Sequence, residues 1–305
     1  MERDAVSTTG TAVLFDVPGP KARARNRGAS VVGAVALLAL IGFMGYRFAA
    51  AGLFDSAGWE WIQYERIQLL LLESLVNTVR AFVVAAVLSL LFGTVFAAGR
   101  LSDHRWVSRG CAAIVEFFRA VPLLVLMFIL YFGVSRTLGL NISAFWAVVL
   151  GLMLYNGSVF AEIFRSGVLA LPRGQSEAAY ALGLRKTQVM VDILLPQALR
   201  AMLPTILSQL VVVLKDTALG FIIQYPELLY QARYLGSQGQ LGSPLLQVAS
   251  VVALIYIAMC LLLSLVSRQL ERRTRHSVKR PPADPGAATA AEVTVPGNAP
   301  GGGLT

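Results

Sequence analysis

The sequence predicts an all-α integral membrane protein with six membrane-crossing helices. Of its 305 residues 56% are apolar and only 14% are charged, a balance too apolar for an ordinary soluble domain of this size. Six stretches approach the roughly 20 apolar residues that cross about 30 Å of hydrocarbon. The basic residues, 26 in all, gather in alternate segments between those stretches, as they do when one side of a membrane holds the positive loops.

The expected spans lie near 31–50, 72–98, 115–134, 143–166, 202–223 and 246–267. The first is not read as a cleaved leader: about 30 largely polar residues precede it, and no small-residue cleavage site follows. Residues 1–30, with Pro18, Gly19 and Pro20 ahead of a basic cluster, and residues 269–305 hold too little apolar bulk to pack, so both ends are expected to be disordered. Between the first two spans, Trp59, Trp61 and Tyr64 are residues that favour a membrane interface.

Twenty of the 26 basic residues fall before the first span, around the second and third loops on the same side, and after the last span. The positive-inside rule then places both termini in the cytoplasm. The net charge of +9 is accounted for by these loops and by a solvated basic tail at 268–280, and no nucleic-acid partner is expected. Cys111 and Cys260 sit at a span end and within a span, where no disulfide is expected. His104 and His276 have no acidic or cysteine partners at ligand spacing, so no metal site is expected. No GxxxxGK[ST] phosphate loop is present, the glycines of GSQGQLG at 236–242 have the wrong spacing for a dinucleotide loop, and no catalytic Ser/His/Asp set appears. The chain is therefore not read as an enzyme.

One polar stretch interrupts the spans: EAAYALGLRKTQVMVDILLP, 177–196. Glu177 to Leu182 has room for a short helix, Gly183 suits a corner with positive φ, and Leu184 to Leu195 can form a second helix ending before Pro196. Pro172, Gly174, Pro196 and Pro204 frame the hairpin, 172–200, as helix-ending or redirecting residues. An amphipathic helix lying in the membrane interface is the simpler alternative for this stretch.

The spacing E-A-A, three residues, G, nine residues, I-x-L-P resembles the signature loop of permease subunits in ABC importers. FRAVPLLVL at 118–126, YNGSVFAEIFRSGVLALPRGQSEAAYALGL at 155–184, LLPQALRAMLPTILSQ at 194–209 and LKDTALG at 214–220 resemble the polar amino acid branch of that family, over roughly 70–268. The extra first span and FDVPGPKARAR resemble actinobacterial glutamate permeases. The resemblance implies a five-span permease core preceded by one additional span. It implies coupling to an ATPase through Glu177, Ala178, Ala179, Gly183, Leu184, Ile193 and Pro196, with the alanines seated in a groove of that subunit. It also implies two cytoplasmic ATPase subunits that bind the ATP, a second permease subunit or second copy, an external substrate-binding protein, and transport of a polar amino acid, with glutamine, aspartate or a basic amino acid as alternatives to glutamate. This chain itself holds no cofactor on this reading.

Charges inside spans are costly and mark candidate sites. Arg119, Glu162, Lys215 and Asp216 qualify; Asn156, Ser158 and Thr217 flank them as further candidates for the substrate path. Ser158, Glu162 and Arg165 share a helix stripe. Glu162 with Arg165 fits an ion pair as well as it fits substrate contact, Lys215 and Asp216 point about 100° apart on a helix, and Arg119 also fits a snorkelling anchor. A secondary transporter and a membrane-embedded enzyme are the rival readings; the first expects internal repeats and paired broken spans, the second a catalytic constellation, and the sequence shows neither.

Overall fold

A computed structural model of the chain describes residues 19–275. Nine longer helical elements follow one another among these residues, with short 3-10 helices at Ser56–Gln63 and Gly239–Leu241 between them: α1 Pro20–Ala50, α2 Glu65–Arg100, α3 Arg105–Ala120, α4 Leu123–Leu138, α5 Ala144–Leu169, α6 Arg173–Ala181, α7 Lys186–Ile223, α8 Leu228–Gly236 and α9 Leu245–Arg275. No strand occurs among the described residues. Elements α1, α2, α5, α7 and α9 are each long and apolar enough to cross a membrane; α3 with α4 makes a sixth span only if a pair bent by 97° is counted as one.

That bend corrects the expected third span, 115–134, which straddles it. Pro122 disfavours helical backbone at the residue before it, and Val121 sits extended at φ −81°, ψ 127°. Other boundaries also move. Helix α1 starts at Pro20, so residues 20–30 are helical where disorder was expected, and α9 runs on to Arg275. The disorder expected for 1–18 and 276–305 concerns residues outside those described. Trp61 is 2% exposed and packed with Ile67, Leu228, Leu235 and Val252, so its ring faces the protein's own side chains.

The centre of the fold is the contact between α2 and α5. Ala81, Ala85, Ser89, Gly93 and Ala97 are buried at every fourth position of α2, which is one stripe of a helix. Small side chains let backbones approach closely, and in lipid such packing, not water exclusion, holds helices together. A Cβ added at Gly93 would stand 2.6 Å from Cβ of Phe160 on α5, and one at Gly157 of α5 would stand 2.8 Å from the Phe92 ring. Ser89 Oγ donates to the Leu152 carbonyl across the contact at 3.3 Å. Around this pair, Met127, Leu152, Phe160, Met202 and Val213 from α4, α5 and α7 complete the main core. Helix α1 stands apart, with none of its apolar window buried.

Candidate functional site: a hairpin, an ion cluster and a polar span face

Helix α6 is the first arm of the hairpin between α5 and α7. It ends in a closed cap: the Gly183 N–H donates to Tyr180 O at 2.9 Å and the Leu184 N–H to Ala179 O at 3.2 Å. This pair of bonds satisfies the last helical carbonyls and requires a left-handed residue between them; Gly183 supplies it at φ +78°. Glu177 and Ala178 are exposed, and so are Tyr180 and Leu182, the latter 83%. Ala179 is only 3% exposed. It turns into the chain's own packing, so the expectation that both alanines face a partner holds geometrically for Ala178 alone.

The second arm differs from the sequence expectation. It does not stop before Pro196 but continues without a break from Lys186 into the span α7. A proline in a helix lacks an N–H and presses on the carbonyl four residues back. Here the preceding turn, Val189–Leu194, is widened to π-helical geometry, which loosens the backbone where the ring of Pro196 must fit. Ile193 lies in that turn, half-buried, and Leu184 is half-buried at the corner.

At the hairpin end of the spans, three guanidinium groups surround one carboxylate. Arg100 of α2 donates to Glu162 Oε2 at 2.5 Å, and Arg165, three residues on from Glu162, reaches Oε1 at 2.5 Å. Arg119, the last-turn arginine of α3, stands 3.9 Å from Oε2. The cluster thus joins α2, α3 and α5 beside the 97° bend. Ser158 does not reach it; its hydroxyl donates to Leu154 O within α5. The exposed faces of Arg119 and Arg165, 44% and 28%, leave positive charge in excess.

Farther along the spans, Asn156 is fully buried and links two helices. Its Nδ2 donates to Asp216 Oδ2 at 3.2 Å, and its Oδ1 accepts from Gln209 Nε2 at 2.8 Å. Lys215, one residue from Asp216, points away and is exposed, as are Pro204, Thr205, Ser208 and Val212 on the same side of α7. Thr217 is buried and donates to Leu214 O at 2.6 Å.

At the far end from the hairpin, Glu227 caps α8. Its carboxylate accepts from the N–H groups of Leu229 at 2.8 Å and Tyr230 at 2.7 Å and from the Tyr256 hydroxyl at 2.6 Å. Burial pushes its carboxyl up to about 7 against the pull of these donors. Tyr225, whose hydroxyl donates to Asn77 O, and Thr78, which accepts from the Leu228 N–H, fasten the start of α8 to α2. Among the described residues no group of three or more His, Cys, Asp or Glu is placed to hold a metal.

Arg100, Gln209 and Glu227 were missed as site residues by sequence reasoning. Gln209 carried a signal, a polar side chain inside an apolar span. Arg100 and Glu162 are 62 positions apart, and only the packing of α2 on α5 brings them together.

This architecture, spans joined by a capped polar hairpin with charges gathered above it, is that of an importer's membrane subunit. Residues 89–276 match the family described as the inner membrane component of binding-protein-dependent transport systems, and the chain belongs to that family, in its polar amino acid branch. It is 40% identical over 227 residues to the glutamate transport system permease protein GluD of Corynebacterium glutamicum, covering 73% of this chain and 82% of that one. The arginine transport system permease protein ArtQ of Bacillus subtilis is 32% identical, over 67% of this chain and 92% of its own. Among solved structures, an amino acid ABC transporter crystallised with histidines superposes with a TM-score of 0.63 at 29% identity, over 68% of this chain and 95% of that chain. The MetNI methionine transporter in an inward-facing form shares the fold at a TM-score of 0.58 and 19% identity. The chain is a multi-pass membrane permease subunit, not an enzyme, and its family works with an ATPase and a substrate-binding protein.

Proposed function

We propose that this chain is half of the transmembrane path of an ATP-driven importer for polar amino acids, glutamate first among them. The observation that carries the path is the exposed side of α7. Lys215, Ser208 and Thr205 share it within a span, where a lysine facing hydrocarbon would cost about 2.5–3.5 kcal/mol. Such a side faces water or another protein subunit, and a second permease laid against it encloses a polar channel. Asn156, Gln209 and Asp216 line up behind that side as its supporting layer, with Ser158 and Thr217 as structural hydroxyls. Glutamate as the substrate is supported by the 40% identity to GluD; glutamine, aspartate and basic amino acids remain the alternatives to test against it.

On this reading both termini are cytoplasmic, which puts the hairpin and the Glu162 cluster on the cytoplasmic side. Glu177, Ala178, Gly183 and Leu184 form the seat for one of two ATPase subunits, while Ile193 and Pro196 carry the hairpin into α7. Arg119 and Glu162 stand at the inner end of the path. The complex of this chain with a partner permease, two ATPase subunits and a binding protein should take up labelled glutamate into liposomes when ATP is supplied. Lys215→Met should lower that uptake about tenfold or more with the complex still assembled, and a tenfold excess of unlabelled glutamine or arginine should compete less well than glutamate. Undiminished uptake by Lys215→Met removes that side of α7 from the path, and equal competition by all three removes the preference for glutamate.

A further inference from the structure

The second arm of the hairpin touches the end of α2 through one long side chain. Lys186 Nζ donates to Leu101 O at 3.2 Å and pairs with Asp103 at 2.5 Å. Leu101 directly follows Arg100, whose guanidinium binds Glu162, and Ser108 Oγ holds the Arg100 carbonyl at 2.9 Å from α3. The final turn of α2 is therefore gripped from both sides, by the hairpin through Lys186 and by α5 through Glu162. A cavity of about 650 Å³ opens there, lined by Thr94, Ala97, Phe164, Met190, Leu199 and Met202 among others. Lys186, Leu101 and Asp103 stand at its rim, so the polar bridge is the contact that spans the cavity between the second arm and α2.

We propose that Lys186 is a positioning residue that carries hairpin movement to the Arg100–Glu162 cluster, and so sets when the inner end of the path opens. This rests on the hairpin being the seat of the ATPase. The carbonyl bond is the working half of the bridge. Asp103 is 78% exposed, and an exposed ion pair contributes little, whereas the bond to Leu101 O reaches the backbone of the turn that orients Arg100.

The test uses the complete importer in liposomes, with ATP hydrolysed and glutamate taken up measured on the same samples. Lys186→Met keeps the aliphatic stem and removes the donor. It should let the ATPase copurify in normal amount while uptake falls roughly fivefold or more at saturating substrate, so that more ATP is hydrolysed per glutamate carried. Lys186→Arg, which can still donate to Leu101 O, should restore most of the lost uptake, and Asp103→Asn should have a smaller effect than Lys186→Met. In a double-mutant cycle, Lys186→Met with Glu162→Gln should be no worse than the more damaging single change, because both break one connection. Normal ATP use per glutamate in Lys186→Met, or single losses that multiply in the double variant, would overturn the proposal. Loss of copurification in Lys186→Met would overturn it too, by making the lysine part of the ATPase seat. Failure of the unaltered chain to bind an ATPase is a separate result, and strikes the hairpin assignment itself.

Discussion

At position 183 the backbone holds φ +78° with no atom of the protein within 4 Å of where a Cβ would lie. A substitution there is resisted by backbone strain alone, not by crowding. A β-branched side chain in this conformation costs about 1–2 kcal/mol or more, and the least expensive relief is to open the cap and swing α6 away. Gly183→Val should therefore leave the spans inserted, since their packing lies elsewhere, while sharply lowering both the ATPase that copurifies and ATP-driven uptake. Glu177→Lys, which changes the exposed charge without touching the corner, should weaken binding by a separate route. Unchanged copurification in both variants would show that this corner is not the coupling element. Gly183 was legible in the sequence because its evidence is local: a glycine, a helix before it and a helix after it. The orientation of Ala179 was not, since a two-residue repeat of alanine cannot say which one faces inward. Nor was the crowding of three arginines on Glu162, where each partner sits on a different element and only Arg165 lies within one turn.

At the scale of the element, the sequence located the spans better than it located their ends. Hydropathy averages over a window, so it reads apolar length and passes over a single extended residue such as Val121, and the bend before Pro122 vanished into an apparent span. Proline was over-read in the other direction at 196, where a π-helical turn lets the helix continue. The stripe from Ala81 to Ala97 repeats small residues at every fourth position of the expected span 72–98, but hydropathy does not register it, and its partner on α5 lies too far along the chain to be read from spacing. Helix α8 shows what burial adds to a cap. Its capping carboxylate, Glu227, has been pushed up to about 7 by burial, so the folded protein favours the protonated form relative to the unfolded chain. The associated stability is fully present below the ordinary carboxylate value of 4.5 and is lost as pH rises through about 7. Arg80, Tyr225 and Tyr256 are the charged or titratable neighbours that act on this region. Thermal unfolding in detergent should thus show a midpoint that declines between pH 5 and about 7.5. Glu227→Gln removes the titrating group while its one carbonyl oxygen can still accept from the Leu229 or the Tyr230 N–H, and it should flatten that decline. An equally steep decline in the glutamine variant would mean that other groups set the pH dependence.

For the whole molecule, the burial pattern separates a core from an attachment. Helices α2, α4, α5, α7, α8 and α9 supply two continuous clusters of buried side chains, one around Met127, Leu152 and Phe160 and one around Trp61, Leu228 and Val252, and the candidate site residues lie on these helices, on α3 and α6, or at the corners beside them. Helix α1 contributes nothing to either cluster, and its apolar window is 0% buried. Just beyond the end of the helix, Gln247 Nε2 of α9 donates to Gly52 O at 2.9 Å. An apolar helix with no buried residue in its apolar window gains most of its stability from lipid, so removing it withdraws little packing energy from the rest. A chain lacking residues 1–50 should still insert, with its new N-terminus on the outer side, because Arg100, Arg105, Arg109, Arg185 and Lys186 continue to hold the same loops inside. In the reconstituted importer its uptake of glutamate should stay within about twofold of the full chain, a change of about 0.4 kcal/mol in the barrier, and the amount of copurifying ATPase should be unaltered. Loss of insertion or of the partner permease from the truncated complex would show instead that α1 is a working part of the assembly, covered by a neighbouring subunit rather than by lipid.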